Sequence, residues 1–169
     1  MSCSETAAQR VIFSLGSNVG DRLAILESAC DYLADIFGGL RLSQVYETEP
    51  VGCPAGSPSY LNACVEVSTD MPAEEVLQHC MRIELELGRT RNGVHGAPRT
   101  CDIDVILYGE LQQNTPALTL PHPRAHEREF VLRPLCDIDP QLVLPGHALS
   151  VSDMLAALPA GPAVHAFDL

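Results

Sequence analysis

Asp102 and Asp104 stand two residues apart in the run CDIDVILYG (101–109), and Arg89, Arg91 and Arg99 precede them in a Gly/Pro-punctuated stretch. In a strand, residues two apart share a face, so both carboxylates point the same way with Cα atoms about 7 Å apart. Cys101, Ile103, Val105 and Leu107 then fill the opposite face, which is wholly apolar and is the expected core side. Neighbouring carboxylates repel unless a cation lies between them, and Mg²⁺ takes oxygen ligands of this kind. The guanidinium forks just upstream suit phosphate oxygens. Metal-holding carboxylates beside an arginine loop point to a nucleoside triphosphate. DxD is a short and common pattern, and two strand aspartates can simply face solvent. Aspartate is depleted in strands, however, and two of them in so apolar a run favour the metal reading.

A second polar cluster is His122, Arg124, His126 and Arg128. Its His-x₃-His spacing invites zinc, but Pro123 disfavours a continuous helix through the pair and no HExxH glutamate is present. Phosphate contacts or ordinary surface polarity fit better. Tyr60 and Asn62 share one face of another strand pattern, offering a flat wall and a donor–acceptor edge for a planar heterocycle. Phe130 could stack on the same ring or simply pack. No Ser-His-Asp or Cys-His spacing supports covalent catalysis.

The elements that would position these residues follow in order. Residues 10–15 read as a buried strand ending at Gly16-Ser17-Asn18-Val19-Gly20, a turn that is neither GxGxxG nor a Walker loop. Leu23, Leu26, Cys30, Leu33 and Phe37 recur at helical spacing from Asp21 onward, and Gly38-Gly39 stops that helix. Leu40 to Thr48 is a second strand, followed by the Pro/Gly-rich 49–59 connection. In the third strand, Tyr60 to Thr69, Leu61, Ala63, Val65 and Val67 face one way, and Tyr60, Asn62, Cys64 and Glu66 the other. Met71-Pro72 opens a second helix with the stripe Val76, Cys80, Ile83 and Leu87, closed by Gly88. The strand carrying the aspartates is the fourth.

This β-α-β-β-α-β order predicts an α+β, ferredoxin-like core. Its helices would pack on one face of an antiparallel sheet and leave the other, with Asp102, Asp104, Tyr60 and Asn62, partly open. After Gly109 come C-terminal additions: a Pro-bounded segment (120–130), a short apolar stretch (131–135), and a helix from Ser150 to about Leu158. Residues 1–9 read as a disordered lead and 10–169 as a single domain.

Composition narrows the function. The 169 residues suit one domain, burying about 70% of the unfolded surface. Formal charge is −12, and all ten basic residues are arginine, so neither a P-loop lysine nor a Schiff-base lysine exists here. The acidic balance argues against a nucleic-acid partner. No apolar run approaches the roughly 20 residues of a membrane span, and no secretory signal is visible. Seven scattered cysteines without CxxC spacing fit small buried hydrophobes in a reducing cytosol. A cytoplasmic monomer is expected.

FSLGSNVGDR (13–22), YETEPVG (46–52), YLNACVEV (60–67), ELGRTR (86–91), APRTCDIDVILYG (97–109) and LPHPRAHEREFVLRPL (120–135) together resemble the 6-hydroxymethyl-7,8-dihydropterin pyrophosphokinases. The match runs in order over about residues 11–146. The resemblance implies transfer of pyrophosphate from ATP to a pterin hydroxymethyl oxygen, releasing AMP, in folate biosynthesis. It implies two Mg²⁺ on Asp102 and Asp104, and ATP contacts from Glu84, Arg89, Arg91, Arg99, His122 and Arg128. Arg89, Arg99, Asp102 and Asp104 would carry the catalysis. Thr48, Val51, Tyr60, Asn62 and Phe130 would line the pterin pocket, two aromatic rings sandwiching the substrate. This chain departs from the family at Gly96-Ala97, where a bulky aromatic and a glycine are common. It also has Glu49 in place of a frequent proline, and Met81 where a polar residue can occur.

Overall fold

The computed structural model describes residues 7–49, 58–88 and 101–168. The expectations for Arg89, Arg91, Arg99, Val51, Gly96 and Ala97, and for most of the N-terminal lead, lie outside the described residues.

Alternating residues build the sheet, and 3.6-residue stripes seal it. Strand β1 (Gln9–Ser17) lies between β4 (Tyr60–Thr69) and β5 (Asp102–Tyr108), antiparallel to both. On the far side of β4 run β3 (Tyr46–Thr48) and then β8 (Val164–Ala166), giving the order β5-β1-β4-β3-β8. With helices α1 (Arg22–Phe37) and α2 (Ala73–Gly88), this is the ferredoxin-like βαββαβ arrangement. Asp21 caps α1 by accepting from the Ala24 amide at 3.2 Å, and Gly38 ends it at φ 84°. Leu26, Ala29 and Leu33 of α1 and Val76, Cys80 and Ile83 of α2 bury against Val11, Phe13, Leu15, Ala63, Val65 and Val105.

Four sequence expectations need correction. The single second strand, Leu40 to Thr48, is two: β2 (Arg41–Leu42) and β3. Arg41 pairs with Glu66 but Tyr46 pairs with Asn62, so one extra residue sits in the 43–45 stretch. The Ser43 hydroxyl holds the irregularity by accepting from the Cys64 amide at 2.8 Å. The 131–135 stretch is part of a helix, α3 (Glu129–Ile138), which keeps Pro134 inside it.

The sheet's second face is correspondingly less open than expected. Val131, Leu132, Leu135 and Ile138 of α3, with Val151 and Met154 of α4 (Val151–Ala157), pack on Ile12, Cys64, Ile106 and Leu107. Among the described residues, only one end of that face stays clear.

The fourth correction concerns Leu107, which lies in this second core and not opposite the aspartates with Ile103 and Val105. Ile12 pairs with Leu107 but Phe13 pairs with Val105, which leaves Ile106 as the extra residue of a β-bulge. Ile106 and Leu107 therefore both face α3, while Tyr108 returns to the α1/α2 side. Sequence alternation carries no mark of where such an extra residue falls. Strands β6 (Gln113–Asn114) and β7 (Thr119–Leu120) form a small separate hairpin.

Candidate active site

The uncovered end of the second face is built by register. Asp102 pairs with Gly16, Gly16 with Asn62, and Asn62 with Tyr46, so one row crosses β5, β1, β4 and β3. On one side of that row Asp104 pairs with Ser14, and on the other Tyr60 pairs with Thr48. These side chains share a face because directly paired residues do.

They open into a cavity of about 310 Å³. Asp102, Asp104, Ser14 and Gly16 line its acidic side, and Thr48, Glu49, Tyr60 and Asn62 the other. Arg128 and Phe130, at the start of α3, complete it. Arg128 Cζ lies 5.6 Å from the Phe130 ring centroid, within cation–π range. Thus Asp102, Asp104, Thr48, Tyr60, Asn62, Arg128 and Phe130, placed by sequence on distant segments, share one cavity.

Gly16 is the thin point of the floor. A Cβ there would come within 3.1 Å of Asn62 Oδ1 and 3.8 Å of Tyr60 Cδ1. Its lack of a side chain keeps the ground between the acid pair and Asn62 open. Sequence reasoning passed over Gly16, Ser14 and Glu49 as site residues. The signal for the first two was present: in RVIFSLGS (10–17), Ser14 and Gly16 are small residues on alternate positions facing one way.

His122 and Glu84 stand apart from this cavity. His122 lines an adjoining groove with Gln113, Thr119 and Pro123, and its backbone N–H donates to the Ile106 carbonyl at 2.8 Å. Burial lowers the His122 pKa, with Arg128 and Arg124 adding to the fall and the Asp104 charge opposing it. The imidazole is therefore mainly neutral at pH 7, a hydrogen-bonding group more than a charge. Glu84 lies on α2, where its charge acts on the thiols of Cys80 and Cys101, each pushed up to about 12 chiefly by burial. Those thiols stay protonated and behave as core hydrophobes. His126 turns away from the cavity and meets His147, ring centroids 5.1 Å apart.

Among the described residues the lining carries three carboxylates, Glu49, Asp102 and Asp104, against one guanidinium. No group of three or more His, Cys, Asp or Glu side chains among the described residues closes into a full metal site. An ion held by Asp102 and Asp104 would complete its shell from water and a ligand's own oxygens. That is the habit of Mg²⁺, which favours one or two carboxylates plus phosphate and water. The donor set fits.

Known proteins resemble this chain in sequence and in fold. Residues 12–140 match the model of the family described as 7,8-dihydro-6-hydroxymethylpterin-pyrophosphokinase. The 2-amino-4-hydroxy-6-hydroxymethyldihydropteridine pyrophosphokinase of Bacillus subtilis is 41% identical over 131 residues, covering 76% of this chain and 77% of that protein. The protein of the same name from Porphyromonas gingivalis is 40% identical, covering 78% of this chain and 92% of its own length. The folic acid synthesis protein fol1 of Schizosaccharomyces pombe is 38% identical over 86% of this chain, which spans only 20% of it. Among solved structures, a Plasmodium falciparum HPPK-DHPS bound to STZ-DHP superposes with a TM-score of 0.71 at 13% identity. That match covers 90% of this chain and 44% of the other, and at such identity it bears on the fold alone.

Proposed function

The chain belongs to the 7,8-dihydro-6-hydroxymethylpterin-pyrophosphokinase family, and from that premise we infer the chemistry of its cleft. The activity is ATP-dependent transfer of pyrophosphate to the hydroxymethyl group of 6-hydroxymethyl-7,8-dihydropterin, a step in folate biosynthesis. The observation that supports siting it in the cavity is that the acid pair and the Tyr60/Phe130 pair line the same space. A planar ring held between the aromatics would carry its hydroxymethyl arm toward Asp102 and Asp104.

In the reaction the hydroxymethyl oxygen attacks the β-phosphorus, the bond from that phosphorus to the α-phosphate oxygen breaks, and AMP leaves. The hydroxyl proton passes to solvent. Phosphoryl chemistry of this kind needs alignment and charge stabilisation more than covalent help. Asp102 and Asp104 would hold two Mg²⁺, which when bound neutralise phosphate charge and make the attacking hydroxyl more acidic. Arg128 reaches the cavity from the α3 side as a phosphate fork. Asn62 and Thr48 present donors and acceptors to the pterin edge. Neutral His122, beside the cavity, and Glu84, on α2, complete the nucleotide side. Arg89, Arg91, Arg99 and Val51 keep their assigned roles as part of this reading, with Arg89 and Arg99 clamping the triphosphate. Among the described residues no helix is long and apolar enough to cross a membrane. We read it as a monomeric single domain (10–169) with small-molecule substrates only, and a reducing cytoplasm fits the free cysteines among the described residues.

The test mixes protein, ATP, Mg²⁺ and 6-hydroxymethyl-7,8-dihydropterin and identifies the nucleotide product. AMP formed only when pterin is present is the expected result. ADP would mean attack at the terminal phosphorus, and pyrophosphate release would mean nucleotidyl transfer. Either would overturn the reading.

A further inference from the structure

Helix α3 brings its ligand-facing residues to the cavity at one end and is tied to the sheet at the other. Phe130 lies in its first turn. At the far end one carboxylate oxygen of Asp137, Oδ2, accepts from the Tyr46 hydroxyl at 2.7 Å and from the Gln44 backbone amide at 3.2 Å. Asp139, just past the helix, accepts from Arg10 at 3.1 Å, and Arg10 also binds Glu66.

Phe130 and Asp137 are seven residues apart, two helical turns, so they project from nearly the same side of α3. A rotation of the helix that loosened Asp137 from Tyr46 would swing Phe130 with it. The first turn also lacks one bond of its own ladder, although the Arg128 carbonyl accepts from Leu132 and Glu129 pairs with Arg133. Pro134 has no N–H to give to the Phe130 carbonyl, which would be its partner four residues back. The angle of that turn therefore depends on how the rest of the helix is anchored. Tyr46 is well placed as the anchor point, because it is buried and directly paired with Asn62.

We propose that Asp137 is a positioning residue for the pterin site, setting through Tyr46 and Gln44 the angle at which α3 holds Phe130 over the cleft. The inference rests on the assignment of that cleft to the pterin. It predicts a larger effect on the pterin than on ATP, because Phe130 lies within the helix whereas Arg128 precedes it on extended backbone (φ −116°, ψ 112°) and reaches the cavity on a longer, jointed side chain. Asp137→Ala, which removes both bonds, raises the KM for pterin about fivefold, the scale of one ordinary hydrogen bond because the loss reaches the site only through the set of the helix, while the KM for ATP changes less than about twofold. Tyr46→Phe gives a smaller change in the same direction, because the Gln44 bond remains. Asp137→Asn keeps an oxygen in place for both donors and restores the wild-type pterin KM.

Two measurements decide it: steady-state AMP formation with each substrate varied, and titration of the pterin by its own fluorescence with α,β-methylene-ATP and Mg²⁺ present. Weaker pterin binding in Asp137→Ala and Tyr46→Phe, rescued in Asp137→Asn, supports the proposal. Pterin affinity equal to wild type in a folded Tyr46→Phe and Asp137→Ala, or equal losses for both substrates, overturns it. Wild-type protein that forms no pterin-dependent AMP would instead overturn the functional reading on which it stands.

Discussion

Asn62 donates from Nδ2 to Thr48 Oγ1 at 2.8 Å, a bond between neighbouring strands in which both residues are buried. The pair is diagonal, since Asn62 faces Tyr46 and Thr48 faces Tyr60 in the register. The bond fixes the amide, so that Asn62 Oδ1 lies toward Gly16 and the open floor. Thr48→Val keeps the shape and removes the partner. The pterin KM is expected to rise about threefold to tenfold, the range for one buried hydrogen bond, and Thr48→Ser to stay near wild type. Substrate titrations with ATP saturating check both.

Asp104→Asn preserves volume and removes one charge of the acid pair. Loss of a metal ligand at the reacting phosphates should lower kcat by about a hundredfold or more, with a higher Mg²⁺ concentration for half-maximal rate. The same change relieves repulsion from Asp102, so the melting temperature should hold or rise slightly. Activity and thermal unfolding measured on one preparation separate the two effects. A parallel fall in both would mean that Asp104 serves the fold.

Gly16→Ala introduces a Cβ 3.1 Å from Asn62 Oδ1. The side chain must shift by a few tenths of an ångström, which disturbs the pterin edge more than the phosphates. A severalfold rise in the pterin KM with ATP binding nearly unchanged is expected from kinetics and from direct titration.

Leu135 is fully buried among α3, α4 and the bulged end of β5. Leu135→Ala should cost about 2–5 kcal/mol of stability, transfer and cavity terms together. Urea unfolding followed by circular dichroism checks it. Protein that stays folded should retain the Mg²⁺ requirement, because the acid pair sits on the other half of β5.

His122 should leave a mark on the pH dependence of stability. Burial lowers its folded-state pKa below the ordinary 6.5. Between the two values the unfolded chain binds more protons than the folded one, so stability rises with pH across that window. The contribution is fully present above pH 6.5 and is lost as pH falls through the folded value. His122→Asn should flatten the fall in urea midpoint below pH 6.5 relative to wild type, while the slopes above it coincide.

Much of this arrangement could be read from the chain because the residues concerned obey local rules. Period-two alternation in residues 60–69 placed Tyr60 and Asn62 on one face and Leu61, Ala63 and Val65 on the other. The stripes of α1 and α2 were legible from spacings of three and four. Asp102 and Asp104 followed from the same parity. Three features were set by relations between segments instead. The extra residue at Ile106 depends on how β5 meets β1, which no alternation within β5 records. Helix α3 was obscured by Pro134, whose missing N–H argues locally against a helix that the second core then stabilises. Gly16 looked like part of a turn and is in strand pairing, where its value lies in what stands opposite. His122 and Arg128 were read as one cluster, but the 3₁₀ turn over Ala125–Glu127 separates them into adjoining spaces.

The bulge gives β5 a change of phase. Upstream, even-numbered positions carry carboxylates into the cleft; downstream, Tyr108 returns to the α1/α2 side from an even position. A regular strand of the same length, with no bulge, could not satisfy both ends. Either the two aspartates would turn into an apolar core, where unpaired charge is costly, or Tyr108 would leave the Met71 carbonyl to which it donates. Deleting Ile106 would instead restore regular alternation, and what it would take away is the carbonyl that accepts from the His122 backbone N–H. The extra residue thus serves the rim more than the floor: an exchange of Ile106 for another apolar residue is a packing problem, whereas its removal would leave the acid pair facing the cleft and free the segment that carries His122 from its backbone tie to β5.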